Sequence, residues 1–214
     1  MPKLSDPNDG FLVWNRWLGT NRYEAHAELS QEAVVDMRHF FRAWTQTFGL
    51  PFLNKNNRNT MCINLLAEAL PEAHFVVVRR DPVYVAQSLI HARQSIQGDK
   101  RAKWGLKSRD VHSAREPLGY IDDICDQLIE IEVRLRTQLE QVAPSRIHAI
   151  QYETFCSQPE EFLESLCESI PGIYLNRKAM DTQISEFEAS KRLSVSDEEL
   201  KRIRNRFAEV RMCV

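Results

Sequence analysis

The stretch Val76–Ile90, VVVRRDPVYVAQSLI, ends an apolar run in two arginines and sets a serine eight residues after the second. The apolar run predicts a buried strand. Asp81-Pro82 behind it predicts a helix start, an acceptor side chain at the N-cap with proline at the first helical position. A strand-turn-helix corner of this kind suits an anion, because a helix start offers free N–H groups and the positive end of a dipole. A guanidinium adds a planar fork for phosphate oxygens. Arg80 leads into the corner, and Ser88 lies two turns beyond Asp81 on the same helix face, so the two could grip one anion. Arg79 points to the other face of the strand and reads as structural. A single charge-assisted bond contributes roughly 1.5–3 kcal/mol, so a phosphate site needs several such groups. The plainer alternative pairs Arg80 with Asp81 or a helix carboxylate and leaves Ser88 as a surface hydroxyl.

Two further apolar runs end in polar groups. LPFLN (Leu50 to Asn54) leads to Lys55, and RIHAIQYE (Arg146 to Glu153) ends in Tyr152 and Glu153. In open α/β sheets, ligands bind beyond the carboxyl ends of the strands, and that is where these groups fall.

The elements that must hold them follow from periodicity. ELSQEAVVDMRHFFRAWTQTFG predicts a helix capped by Ser30 and stopped by Gly49, with Val34, Met37, Phe41, Trp44 and Phe48 on one face. MCINLLAEAL is a helix closed by Pro71, and His74 to Arg80 suits a strand buried on both faces of a parallel sheet. A long helix over Gly119 to Val142 precedes the Arg146 strand. SQPEEFLESLCESI and SVSDEELKRIRNRFAEV are helices, the last opened by a Ser196/Glu199 capping box. FLVWNRWLG carries no clear period, and Trp14, Trp17 and Trp44 read as core. Alternating strands and helices imply an α/β fold with a parallel sheet. With no repeat or linker, residues 1–214 read as one domain.

Bulk properties narrow the functional classes. The chain is 214 residues long, 43% hydrophobic and 27% charged, with a formal net charge of −2. That balance gives no reason to expect a nucleic-acid partner, so anion binding must come from locally placed cations. No apolar run approaches the ~18 residues that span a bilayer, and the start MPKLSDPNDGFLVW lacks the apolar core of a signal peptide. Cys62, Cys125, Cys156, Cys167 and Cys213 are scattered without a CxxC spacing. They read as reduced core thiols of a cytoplasmic protein, and no metal site is expected. Gln97 to Glu116 reads as a basic loop around Trp104, either facing an anionic acceptor, closing over a cofactor or simply solvated. His91 and His112 flank it and read as structural.

Taken together, these motifs resemble the family of sulfotransferases that use 3′-phosphoadenosine 5′-phosphosulfate (PAPS). FVVVRRDPVYVAQSL is similar to the family's 3′-phosphate motif, a strand-end arginine with a serine eight residues on, which are Arg80 and Ser88 here. LPFLNKNNRNTMCINLLAEALPEAHF resembles the preceding segment, whose lysine contacts the sulfuryl group; the matching residue is Lys55. IQYETFCSQPEEFLESL is similar to the segment whose tyrosine lies near adenine, matched by Tyr152. FEASKRLSVSDEEL resembles more loosely a region that returns basic residues to the 3′-phosphate, matched by Lys191 and Arg192.

The resemblance spans roughly Leu50 to Leu200. It implies a three-layer α/β/α fold of the P-loop NTPase-like kind. It also implies PAPS as donor without a metal, and a small-molecule, carbohydrate or lipid acceptor bearing a hydroxyl or amine.

Two departures stand out. The family's N-terminal strand and its P-x-S-G-T-T-like loop, which cradles the 5′-phosphosulfate, have no counterpart among the residues here. The histidine that some members carry two residues after the lysine is Asn57, which cannot act as a base. The expectation is a truncated or partial sulfotransferase. The alternative is an inactive module that binds adenosine 3′,5′-bisphosphate or another nucleotide, or a degenerate relative of the family. A P-loop kinase relative is disfavoured by the missing G-x-x-x-x-G-K-[ST] motif, and a ligand-free helical interaction protein by the strands that end in polar corners.

Overall fold

In a computed structural model the described residues are 10–21, 28–106, 116–178 and 188–210. They fall into two compact units. The first comprises residues up to Ala73 together with Arg134–Val142, and the second His74–Val133 and the residues from Ala143 on. His112, Cys213 and residues 107–115 of the basic loop lie outside the described residues.

The first unit is helical. FLVWNRWL, without a clear period in the sequence, is helix α1 (Phe11–Leu18). Helix α2 (Gln31–Phe48) starts at Ser30, whose Oγ accepts from the Ala33 N–H, and stops at Gly49 with φ +65°. Met37 on its apolar face is fully buried, while Phe48 at the end of the same stripe is exposed. Trp14 and Trp17 are buried and stack with Phe40 and Phe41. A 3₁₀ turn (Asn57–Met61) and helix α3 (Ile63–Ala69) complete the unit with the tail of α5 (Gly119–Leu139).

Leu50 to Asn54 is not a strand. Pro51 has no N–H for a ladder, Leu53 is 91% exposed, and of the apolar side chains Phe52 alone turns inward, onto Phe41 and Trp44. One inward aromatic anchors an irregular segment there, where the apolar run had implied a strand.

The second unit holds strand β1 (Phe75–Arg79), helix α4 (Pro82–Gln97), the first part of α5, strand β2 (Ile147–Gln151), and helices α6 (Tyr152–Ser157), α7 (Pro159–Ser169) and α8 (Asp197–Glu209). The strands pair in parallel, Phe75 opposite Ile147 through Arg79 opposite Gln151. The α/β class with a parallel sheet is therefore observed, with two strands among the described residues.

The core lies between helices, where Ala86 and Ile90 of α4 meet Tyr120, Ile121, Ile124 and Cys125 of α5 and Ile203 and Phe207 of α8. β1 buries only one face. Val77 is covered, but Val76 and Val78 are 44% and 53% exposed. The unbroken apolar run had implied burial on both sides, yet only the Val77 face finds a cover among the described residues. At the start of the strands, His74 Nδ1 and His148 Nε2 lie 3.0 Å apart. Burial, and then the neighbouring His148 and Arg146, hold the His74 pKa below its usual value.

Candidate functional site

Both strands deliver their polar ends to one corner. Arg80 follows β1, and Tyr152 follows β2 as the first residue of α6, so parallel register brings the two side by side. The Arg80 guanidinium carbon lies 4.5 Å from the Tyr152 ring centre and 5.3 Å from that of Tyr84, one turn into α4. Its Nη2 donates to the Ser190 carbonyl at 2.8 Å, and its Nε stands 3.8 Å from Glu153. That Nε is buried and makes no hydrogen bond. The helix carboxylate anticipated as an alternative partner is thus Glu153, at ion-pair range. Arg79, on the opposite face, pairs with Glu132 of α5 at 3.4 Å. The Tyr152 phenol is pushed up in pKa, first by its hydrogen bond with Cys156 one turn later and then by burial.

The start of α4 differs from the expectation of free N–H groups. Asp81 accepts from the Val83 N–H with its side chain at 2.8 Å, and its carbonyl takes the N–H groups of Tyr84 and Val85 at 3.1 and 3.3 Å. Pro82 has none to give. The aspartate cap that makes the helix start so legible also consumes its donors, so an anion here must be held by side chains. Ser88 is exposed, with its Oγ turned back to the Tyr84 carbonyl at 2.9 Å. It lies one turn beyond Tyr84, and no contact joins it to Arg80.

Lys191 and Arg192 reach the same corner through their backbone. Successive turns of α4 bind the segment 190–194. The Tyr84 hydroxyl donates to the Lys191 carbonyl at 3.1 Å, and Gln87 Nε2 to the Arg192 carbonyl at 3.0 Å. Gln87 Oε1 accepts from the Ser194 N–H at 2.7 Å, and His91 Nε2 meets Ser194 Oγ at 2.8 Å. The main chain is pinned while both basic side chains stay exposed. Beyond it, the Ser196–Glu199 capping box is present with both of its bonds. The polar stripe Tyr84–Gln87–His91 went unread in the sequence. Its spacing of three and four along one helix face was the available signal.

Lys55 belongs to the first unit and is exposed. Its neighbours are fixed on both sides. Asn54 Oδ1 accepts from Trp14 Nε1 at 2.8 Å, and Asn56 Oδ1 accepts from the Arg58 N–H at 2.9 Å to cap the 3₁₀ turn. Arg58, only 2% exposed, donates from Nη1 to the Gly19 carbonyl at 2.8 Å and from Nη2 to that of Leu18, tying the corner to the end of α1.

A cleft of about 310 Å³ elsewhere in the second unit is lined by Glu116, Asp122, Arg202, Asn205, Arg206 and Glu209. Its arginines are already matched, Arg202 to Asp122 by two bonds of 2.9 and 2.6 Å and Arg206 to Asp126 at 2.9 Å. It offers no uncompensated positive charge.

A sequence model of the sulfotransferase family matches residues 8–203, a span that includes the Lys55 corner and the Arg80 corner. The chain belongs to the sulfotransferase family. Among curated proteins it is similar to the omega-hydroxy-beta-dihydromenaquinone-9 sulfotransferases Stf3 of Mycobacterium bovis and Mycobacterium tuberculosis, 25% identical to each over 154 residues. That alignment covers 68% of this chain and 37% of each relative, so the chain matches little more than a third of their length. No solved structure matches it. Among the described residues of this sulfotransferase-family chain, no helix is long and apolar enough to cross a membrane, and no cluster of three metal-ligating side chains occurs.

Proposed function

We propose that this chain carries the donor-nucleotide part of a sulfotransferase that moves a sulfuryl group from PAPS to a hydroxyl or amine acceptor. The observation that supports it best is Arg80 held between Tyr84 and Tyr152 at the ends of two parallel strands, with a buried Nε that makes no hydrogen bond. An orphaned donor in such a place is costly unless a ligand supplies the acceptor. The residues suit the 3′-phosphate and adenosine end of the donor. In this reading Arg80 grips the 3′-phosphate, Lys191 and Arg192 lean in from their pinned backbone, and Ser88 turns its hydroxyl from the Tyr84 carbonyl to the same anion. Tyr152 offers its ring to adenine.

At the other end of the donor, Lys55 neutralises charge building on the oxygen between phosphorus and sulfur. PAPS itself supplies an activated sulfuryl group whose leaving group is the stable phosphate of adenosine 3′,5′-bisphosphate. Transfer then asks of the protein mainly position and electrostatic stabilisation. No metal is needed for these roles. The family match runs across both compact units, which supports reading residues 1–214 as one functional domain. The curated relatives are named for a hydroxylated menaquinone substrate, which favours a lipid or small-molecule alcohol among the acceptor classes here.

The polar groups gathered around Arg80 lie in the second unit alone, which favours as a second reading a module that binds adenosine 3′,5′-bisphosphate without turnover. One experiment separates them. The chain is titrated with adenosine 3′,5′-bisphosphate while thermal unfolding is followed, for wild type and Arg80→Ala, and is then assayed with labelled PAPS and a panel of alcohols. A midpoint that rises with ligand in wild type and much less in Arg80→Ala is expected. No rise in wild type sinks both readings, and a rise without label transfer leaves the binding module.

A further inference from the structure

About three turns along α4 from the Arg80 corner, a second arginine is held in a different state. Arg93 is 2% exposed, and its Nη2 donates to Gln127 Oε1 of α5 at 3.2 Å. Its Nε and Nη1 are buried without any hydrogen-bond partner. The side chain borders a small cavity of about 20 Å³, whose other walls are Lys103, Trp104, Gly105, Leu106, Asp123 and Gln127. A volume of that order admits one oxygen-sized atom.

The cavity is built by its surroundings. Gln127 Nε2 donates to the carbonyls of both Trp104, at 3.1 Å, and Leu106. Those bonds fix the amide so that its oxygen faces Arg93. The turn needs glycine at 105, where φ is +84° and a Cβ would stand 3.1 Å from Gln127 Nε2. Lys103 is exposed at the rim, and Asp123 is the carboxylate that faces the guanidinium. Two cations against one carboxylate leave the cavity with a net positive charge. Burial lowers the Arg93 pKa, which expresses the same strain of a cation short of partners.

We infer that the Arg93 cavity, beneath the Trp104–Leu106 turn, is an anion site that seats one oxygen of a carboxylate and is separate from the nucleotide corner. Arg93 supplies the two spare donors and Lys103 the charge at the mouth. The carboxylate belongs to a small organic acid or to an acidic group on a larger molecule, because only one oxygen need enter. Buried unpaired arginine nitrogens are rare because each costs a desolvation penalty with no return, and a carboxylate oxygen meets them with charge-assisted bonds.

Acetate is the probe. The full chain, labelled with ¹⁵N, is titrated with sodium acetate at an ionic strength held constant with sodium chloride. The Arg93 Nε–Hε resonance, identified by its loss in Arg93→Lys, should move saturably. In parallel, acetate should raise the thermal midpoint of wild type and of Arg80→Ala alike, and Arg93→Met should weaken the apparent affinity at least tenfold. Lys103→Ala, at an exposed position, should weaken it by a smaller factor. Survival of the effect in Arg80→Ala separates this site from the nucleotide corner whatever that corner binds. An unmoved Arg93 resonance, or equal stabilisation of wild type and Arg93→Met, overturns the proposal and leaves a cavity that holds water. Should Arg93→Met fail to fold, the wild-type resonance and Lys103→Ala still decide.

Discussion

Arg58 and Arg80 each stand at a polar corner after an apolar run, and they have opposite fates. Arg58 is buried and bonded to the carbonyls that end α1, so its charge serves the chain's own backbone. Arg80 keeps about a fifth of its side chain open, lends one nitrogen to the Ser190 carbonyl, and sets its guanidinium against the rings of Tyr84 and Tyr152. The first corner is closed by its arginine. The second is left open to solvent by its own. An arginine at a strand end or loop therefore says little until its exposure and its partners are known.

The sharpest way to break this contrast is through turnover. In the sulfotransferase reading, Lys55→Ala should cut sulfuryl transfer by roughly 10²–10³-fold, the scale of losing one donor to a developing charge, with affinity for adenosine 3′,5′-bisphosphate nearly unchanged. Single-turnover assays check it, and equal losses in both quantities would count against the role. Arg80→Ala should reverse the pattern, weakening nucleotide binding about ten- to hundredfold while the ligand-free unfolding midpoint moves little.

Arg58→Met should do the converse. It leaves the carbonyls of Leu18 and Gly19 without their donor at a cost of about 3 kcal/mol, read by urea unfolding, and nucleotide affinity of the folded fraction stays as in wild type. A stable Arg58→Met would erase the distinction.

Acid should act on the segment behind the Arg80 corner. Glu199 is buried, which alone would raise its pKa. Hydrogen bonds from Lys100, Tyr120 and the Ser196 backbone overcome that and bring it to about 2 from an ordinary 4.5. Because the folded pKa is the lower one, the stability it confers is complete above about pH 4.5 and is lost as pH falls through about 2. Glu199→Gln should flatten the fall in stability measured between pH 5 and pH 2, and an unchanged slope would assign that fall to other carboxylates. The smallest effect belongs to Ser88→Ala. Its hydroxyl is already satisfied within the helix, so nucleotide affinity should change by no more than about threefold and stability hardly at all.

What the sequence made legible was local. β1, the Asp81-Pro82 start of α4, the Ser30 cap and the Ser196–Glu199 box each rest on residues a few positions apart, and all are present. What it concealed was remote or ambiguous. Gln87 holds the Arg192 carbonyl across 105 residues, a pairing that no window of sequence contains. LPFLN and FVVVR look alike as apolar runs, yet one has a parallel neighbour and the other only Phe52 to bury. The aspartate cap misled in a subtler way, because the residue that announces a helix start also uses up the N–H groups an anion would want. Arg93 was hidden altogether, since nothing local marks a cation that will be buried with two of its nitrogens unbonded.

The parallel register has a kinetic consequence. His74 and His148, at the heads of the paired strands, are separated by 74 residues, and α4 and the whole of α5 lie between them. A loop of that length closes late, after helices whose contacts are local have formed. Arg80 and Tyr152 therefore meet only when that long-range pairing is made. A nucleotide that grips both would act as a clasp on a late step of folding, and should slow unfolding far more than it speeds refolding.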